Sequence, residues 1–438
     1  MRVSRVVVVG SFNVDHVWNC STLPRRGETL SGRYHTGPGG KGFNQAVAST
    51  RAGAQTTFLC ALGDDDGGRQ ARALAQADGI AMRVRESSHP TGTAGIYVDE
   101  AGHNTIVIGA GANGDLCASW VGRQAEALAG ARVLLTQLES PLDSVLEAMR
   151  LARAAGTSTM LNPAPANAQC LRELLAAADI LTPNETEFAG LLERHTSHRI
   201  DSEAIAGTAD AQLHRWCRTL LPRGTVVITL GAAGAFVSHR EDLTRGDTRP
   251  FYRVPADKVE PIDTTGAGDA FNGALAASLA GDPAAPFDSH VRFAAHYAGR
   301  STERVGAAAA MPHLRPRRTD DTAHATLARP RHRGSRRSPA DALLFTFCAA
   351  ACRRRPGGPD RPGSLRPGRP GAITGVARHH ADCGRFRERR CRARDRDGGA
   401  SAGGRTRHRA GRLARAGLAS RPRDHPRRAH IRPGARRP

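Results

Sequence analysis

The sequence predicts an α/β fold with a mostly parallel sheet covered by helices on both faces. Three observations carry that expectation. The run Arg5–Val9 contains four consecutive valines, the pattern of a central strand buried on both sides rather than one. Strand-like and helix-like segments then alternate along most of the chain, as crossover connections require. Glycine-bounded loops follow several strand ends and open helices, and ligands of such sheets bind just past the carboxyl ends of strands.

The elements follow in order. The first strand ends at Gly10-Ser11, and Asn13 and Asp15 come next. Two apart in an extended segment, they share a side and offer an amide and a carboxylate to sugar hydroxyls. An Asx-rich turn would produce the same pair. The glycine-rich run 37–46 leads into a helix through Ala46, Val47, Ala48 and Arg51. It is not a P-loop, because Gly42 follows Lys41 where Ser or Thr belongs. A polar substrate near Gly39, Gly40 and Asn44 is expected instead. Residues 55–62 read as a strand and 67–77 as a helix. Residues 95–98 and 104–108 flank Asp99-Glu100-Ala101-Gly102, a hairpin that interrupts the alternation and serves as a lid or an association surface. Alternation resumes with strand 133–137, helix 142–155, strand 159–161 and helix 171–177.

Three further stretches carry chemistry. Glu139 follows a strand end. Pro183 marks a helix start, so Asn184 and Glu187 fall near a helix N-terminus. They suit a magnesium-water shell or a phosphate, or Asn184 is a plain N-cap. The buried strand 226–229 ends in Leu230-Gly231-Ala232-Ala233-Gly234, a turn able to receive a nucleotide. Last comes Asp263-Thr264-Thr265-Gly266-Ala267-Gly268-Asp269, running into a helix. Glycines there let backbone N–H groups approach an anion, and the helix dipole adds to the same place. Asp269 in the first turn is placed to take a proton from a hydroxyl while those groups hold charge on a phosphoryl group. A capped glycine-rich helix start is the bland reading.

Composition divides the chain near Pro312. Up to it, 29 Lys and Arg stand against 32 acids; beyond it, 34 Arg stand against 9, so the formal charge of +22 resides in the last segment. Residues 313–438 lack Lys, Asn, Gln and Tyr and hold one short apolar run, 342–351. That composition buries too little apolar area to offset chain entropy and predicts disorder. Arg, Pro, Gly and Ala are also what GC-rich DNA yields out of frame, and the chain has only Lys41 and Lys258. A frameshift near Met311-Pro312 is therefore the first reading, and an Arg-rich nucleic-acid arm the second. Loose, salt-dependent binding to nucleic acid phosphates is expected in either case. No signal peptide is visible at the start, and no apolar run reaches the ~20 residues of a membrane helix. The five scattered cysteines before Pro312 show no metal spacing, which fits reduced thiols in a cytoplasmic protein.

Taken jointly, residues 5–312 resemble the ribokinase-like (PfkB) carbohydrate kinases. The resemblance rests on Gly10-Ser11-Phe12-Asn13-Val14-Asp15, Gly39-Gly40-Lys41-Gly42-Phe43-Asn44-Gln45-Ala46, Gln137-Leu138-Glu139-Ser140-Pro141, Leu161-Asn162-Pro163-Ala164-Pro165-Ala166, Thr182-Pro183-Asn184-Glu185-Thr186-Glu187 and the Asp263 to Asp269 loop, in the family's order. It implies a three-layer α/β/α kinase domain over residues 1–312, with a small β-lid from about 16–36 and 95–108 that also makes a homodimer. It implies transfer of the γ-phosphoryl group of ATP to O5 of D-ribose, with Asp269 as base and Gly266, Ala267 and Gly268 as anion hole. The sugar would meet Asn13, Val14, Asp15, Gly40, Lys41, Gly42, Phe43, Asn44, Glu139 and Asp269. Asn184, Thr229, Leu230, Gly231, Ala232, Ala233, Gly234, Gly268, Asp269 and Ala295 would line the nucleotide site. Glu187 would serve Mg2+, and Asp263, Thr265, Thr302, Val305 and Ala307 a K+ ion. Phe43, Ala295, Arg300 and Glu303 depart from the family's usual residues. Another sugar or nucleoside kinase of the family is the alternative, and an inactive sugar-binding protein with a nucleic-acid-binding tail is the reading from a different class.

Overall fold

The run of valines at Arg5–Val9 forms β1, and the computed structural model describes the chain from there to Leu314, residues 5–314. The remaining strands are β2 (Asn13–Asn19), β3 (Arg33–Gly39), β4 (Gln55–Gly63), β5 (Ala81–Ser87), β6 (Gly92–Val98), β7 (Asn104–Gly109), β8 (Val133–Thr136), β9 (Ser158–Leu161), β10 (Ile180–Leu181), β11 (Thr225–Thr229), β12 (Ala235–Ser238) and β13 (Phe251–Val254). Nine of them make one sheet in the order β13-β12-β11-β10-β9-β8-β1-β4-β5. It is parallel from β5 to β11, and β12 and β13 add an antiparallel edge.

Alternation along β1 explains the layers. Val6 and Val8 enter one apolar core, with helices Lys41–Arg51, Ala267–Gly281 and Phe287–Ser301. Val7 and Val9 enter a second core on the opposite face, with helices Leu142–Ala154, Glu185–His195 and Asp210–Leu220. Each fully buried valine is worth roughly 1.5–3 kcal/mol over an exposed one, which is why a continuous run suits only a strand covered twice.

The four remaining strands make a separate small sheet, β3-β2-β6-β7. This sheet takes in the stretches expected to make a lid, 16–36 and 95–108, and extends beyond them: pairing begins at Asn13↔Gly39 and Asn13↔Gly92. The 95–108 hairpin is present, closed by a turn in which Gly102 has φ +83°. Strand β5, the edge strands β12 and β13 and helix Asp210–Leu220 are additions to the elements expected from the sequence. The expected basic segment lies outside the described residues apart from His313 and Leu314. Those two follow a stretch docked on the first helix: Arg51 donates to the carbonyls of Ala308 and Met311, and the Leu314 N–H donates to the Arg51 carbonyl at 3.0 Å. Among the described residues no helix is long and apolar enough to cross a membrane.

Candidate active site

Helix Ala267–Gly281 begins where the chain turns sharply at Gly266, whose φ of +77° lies in the left-handed region that only glycine adopts cheaply. A Cβ there would also sit 3.0 Å from that of Ala307. The first turn leaves backbone donors unpaired, as helix starts do. The N–H groups of Gly266, Gly268 and Asp269 meet no acceptor among the described residues, and the space beside Gly268 is open. Ala267 differs from expectation. Its N–H closes a turn onto the Thr264 carbonyl at 3.1 Å, so the free donors are those of Gly266, Gly268 and Asp269.

Asp269 itself is buried, and both carboxylate oxygens are held. Gln45 Nε2 donates to Oδ1 at 2.9 Å and Asn44 Nδ2 to Oδ2 at 3.0 Å. Burial pushes its pKa up, opposed by the Lys41 ammonium and the two amide donors, with Glu139 adding to the rise. The other acids converge from different elements. Glu139 Oε2 takes the Ser11 hydroxyl at 2.6 Å and the Lys41 N–H at 2.9 Å, which leaves Oε1 open. Asp15 lies against bare backbone, since a Cβ on Gly39 would fall 2.1 Å from its Oδ2. Burial, then Glu139 and Asp269, raise Asp15 to about 7. Lys41 answers this charge. Burial opposes its ionisation, but Asp269, Glu139 and Glu187 together hold the ammonium above its ordinary value. Asn13 is oriented from behind by Asn113, whose Nδ2 donates to Asn13 Oδ1 at 2.8 Å. Asn44 Oδ1 is buried with no partner. The result is a wall of carboxylates and amides with unspent acceptors beside a helix N-terminus.

Several expected residues serve the scaffold instead. Val14 points to the opposite face of β2 from Asn13 and Asp15, as strand alternation requires. Phe43 is a core residue, edge-on to Phe12 at 5.0 Å between ring centroids, and its N–H donates to Ser11 O. Gly42 is buried against Gly10 and donates to the Ser11 hydroxyl. Leu230 is buried in the second core.

The Asn184–Glu187 pair is a capping box. Asn184 Oδ1 accepts from the Glu187 N–H at 2.8 Å, and Glu187 Oε2 accepts from the Asn184 N–H at 2.9 Å. Pro183 precedes the cap and is not the first helical residue. The plain N-cap reading is therefore structurally correct, yet it leaves Glu187 Oε1 and the Asn184 amide N–H2 without a bond. A bridge between Asn184 and Thr229, with the Thr229 N–H on the Pro183 carbonyl, joins this cap to the 229–234 turn. In that turn Gly231, Ala232 and Ala233 are exposed, whereas Gly234 is structural: a Cβ would strike the Val254 carbonyl at 2.0 Å. Ala295 lies half-buried against the first core.

The loop 302–307 packs beside Gly266. Asp263 ties it down, with Oδ1 on the Thr265 N–H at 2.9 Å and Oδ2 on the Gly306 N–H at 2.8 Å. Burial works against its ionised form, but these bonds outweigh it and lower the pKa. Thr302 leaves the candidate ligand set. Its carbonyl already accepts from Ile262 and Asp263, which uses both lone pairs. Among the described residues no donor reaches the carbonyls of Thr265 and Val305, and that of Ala307 accepts one N–H. Arg300 and Glu303 pair with each other at 2.8 Å on the exposed side of the helix end. Among the described residues no three His, Cys, Asp or Glu side chains are grouped to hold a metal, so any cation here would rest on backbone oxygens and a single carboxylate.

Ser11, Asn113, Gln45 and Gln137 orient the site without having been among the expected site residues. Ser11, Gln45 and Gln137 lie inside the quoted motifs, and Asn113 in a glycine-rich turn, but nothing local gives their partners.

Comparison with known proteins completes the picture. The profile of the pfkB family carbohydrate kinases matches residues 3–314. The chain belongs to the PfkB family of carbohydrate kinases. It is 38% identical over 314 residues to the ribokinase of Haemophilus influenzae, covering 70% of this chain and 95% of that protein. It is 36% identical over 317 residues to the ribokinase of Mus musculus, covering 71% and 93%. The solved structure of Arabidopsis thaliana ribokinase complexed with ribose and ATP is 27% identical and superposes with a TM-score of 0.60, over 71% of this chain and 96% of that one. The kinase fold is thus a mostly parallel sheet between two helix-covered cores, with a second, small sheet beside it.

Proposed function

We propose that this kinase phosphorylates D-ribose at O5 with ATP, giving ribose 5-phosphate and ADP. The observation that carries the reading is Asp269: a buried carboxylate held by two amides, in the first turn of a helix whose leading N–H groups are unpaired. Similarity to ribokinases, one of them solved with ribose and ATP, supports the substrate pair.

In this reading Asn13, Asp15, Asn44 and Glu139 accept and donate hydrogen bonds to the ring hydroxyls. Asp269 takes the proton of the 5-hydroxyl as the O5–phosphorus bond forms. The bond from phosphorus to the bridging oxygen of ADP breaks, and charge on the transferring group is met by the N–H groups of Gly266, Gly268 and Asp269 and by Lys41. The turn Thr229 to Gly234, with Asn184, Gly268, Asp269 and Ala295 nearby in the reading, receives the nucleotide. Mg2+, when bound, neutralises phosphate charge; Glu187 Oε1 would serve its water shell. A K+ ion would rest on Asp263, Thr265, Val305 and Ala307 and stiffen the anion hole. Exposed Ile106, Val107 and Ile108 on the unpaired edge strand β7 support a homodimer through the lid. The five cysteines among the described residues, none of them in a disulfide, support a reducing, cytoplasmic setting. The basic segment beyond Leu314 would touch nucleic acid non-specifically.

A coupled ADP-release assay over pentoses, hexoses and nucleosides tests the substrate. Preference for adenosine or fructose over ribose would overturn it. In the same assay Asp269→Asn should lower turnover ~10²–10⁴-fold with ribose binding largely kept. Retained turnover would reduce Asp269 to a helix cap.

A further inference from the structure

Three parallel strands end in the same way. One residue past β8, β9 and β10 stand Gln137, Asn162 and Thr182, all buried. They form a polar row along the carboxyl edge of the sheet, beneath the phosphoryl-transfer base. Gln45, fully buried on helix Lys41–Arg51, connects that row to the base.

The bonding pattern leaves Gln45 one orientation. Its Oε1 accepts from Gln137 Nε2. Its Nε2 donates to both Asp269 Oδ1, at 2.9 Å, and Asn162 Oδ1, at 3.0 Å. A flipped Gln45 amide would set its one oxygen against two oxygen acceptors and its N–H2 against that of Gln137, losing all three bonds. The row then continues. Asn162 Nδ2 donates to the Thr182 carbonyl at 2.9 Å, the Thr182 hydroxyl donates to Asn272 Oδ1, and Asn272 Nδ2 donates to the Gly268 carbonyl at 2.8 Å. It begins and ends within one residue of the base and links the carboxylate to the turn carrying the free N–H groups. One cost is visible. Gln137 Oε1 is buried without a partner, packed where a Cβ on Gly10 would lie 2.1 Å away. A buried acceptor left unmade is expensive, and the bare backbone at Gly10 is what allows it.

We propose that Gln45 is a positioning residue for phosphoryl transfer: it holds Asp269 Oδ1, presents Oδ2 to the acceptor hydroxyl and favours the ionised base. This rests on the kinase reading above, but its test does not depend on turnover alone. The charged groups facing Asp269 are Lys41 from helix Lys41–Arg51, Asp15 from β2, Glu139 from the loop after β8, and Glu187 from helix Glu185–His195. None of them is altered by substituting Gln45.

The experiment follows the Asp269 carboxyl by carbon NMR in the full chain, assigned with Asp269→Asn, beside the pH profile of turnover. Removing a donor that favours the carboxylate raises its pKa, so in Gln45→Leu the titration should move up by roughly one pH unit. The acid limb of kcat should move with it, and kcat near neutrality should fall roughly tenfold with KM for ribose little changed. Gln137→Leu, which removes only the group orienting Gln45, should shift the titration the same way by less. A folded Gln45→Leu with unmoved titration and limb overturns the proposal, since a purely structural role would change melting alone. If Gln45→Leu does not fold, the same titration in Gln137→Leu decides. A wild-type protein without ribose-dependent ADP release would remove the kinase reading, while the titration would still judge Gln45.

Discussion

At the scale of residues, the site concentrates negative charge in a small volume and holds it at a cost in stability. Asp15 shows the sign. Its folded pKa, raised to about 7, exceeds the ordinary carboxylate value of 3.8, so the folded state binds the extra proton between those limits. Stability therefore falls as pH rises through that window, the reverse of the usual salt-bridged aspartate. Asp15→Asn should melt higher than wild type at pH 8, by roughly 2–4 °C, and the gain should vanish near pH 4. Thermal melts of both proteins across that range check this. A gain equal at both ends would mean that ionisation of Asp15 carries no strain. Asn184 teaches a different lesson. A residue can satisfy a helix end with one atom and still offer another, so cap and ligand were never exclusive readings.

At the scale of elements, the loop 302–307 and the start of helix Ala267–Gly281 behave as one unit. Asp263 bonds both the Thr265 and Gly306 N–H groups, and Ala307 packs on Gly266. A monovalent cation seated there would stiffen the donors of the anion hole. Replacing potassium by a large organic cation at equal ionic strength should lower turnover by roughly tenfold or more. Unchanged turnover would mean that this loop builds no cation site. Elements with a clean period were legible beforehand: the valines of β1, the hairpin of β6 and β7, the helix Leu142–Ala154. Strand β10 was not, because two residues leave too few positions to define a period; helix Asp210–Leu220 does carry one, with Leu213, Cys217 and Leu220 on its buried face.

At the scale of the whole molecule, the composition break near Pro312 coincides with the end of the family match at residue 314. The final described residues are held by the first helix and by Tyr297, whose hydroxyl donates to the Pro312 carbonyl at 2.7 Å. A chain ending at Leu314 should keep these bonds. We expect its ribose turnover to stay within roughly twofold of the full chain and its retention on nucleic acid at low salt to disappear. Lost activity in the shortened protein would make the basic segment a working part of the kinase.

The order of the motifs and the chemistry of Asp263 to Asp269 were legible in the sequence alone, because strand burial, glycine loops and helix starts are local properties with local signatures. So were most carboxylates and amides of the site, though not which would stay free. That was decided only by tertiary structure. Phe43 and Val14 went to the core, Thr302 spent its carbonyl on two neighbours, and Gln45 acquired its place through Gln137 and Asn162, residues 92 and 117 positions away. A buried hydrogen bond is made between partners distant in sequence, and nothing in the pattern around either partner states that the other will be there.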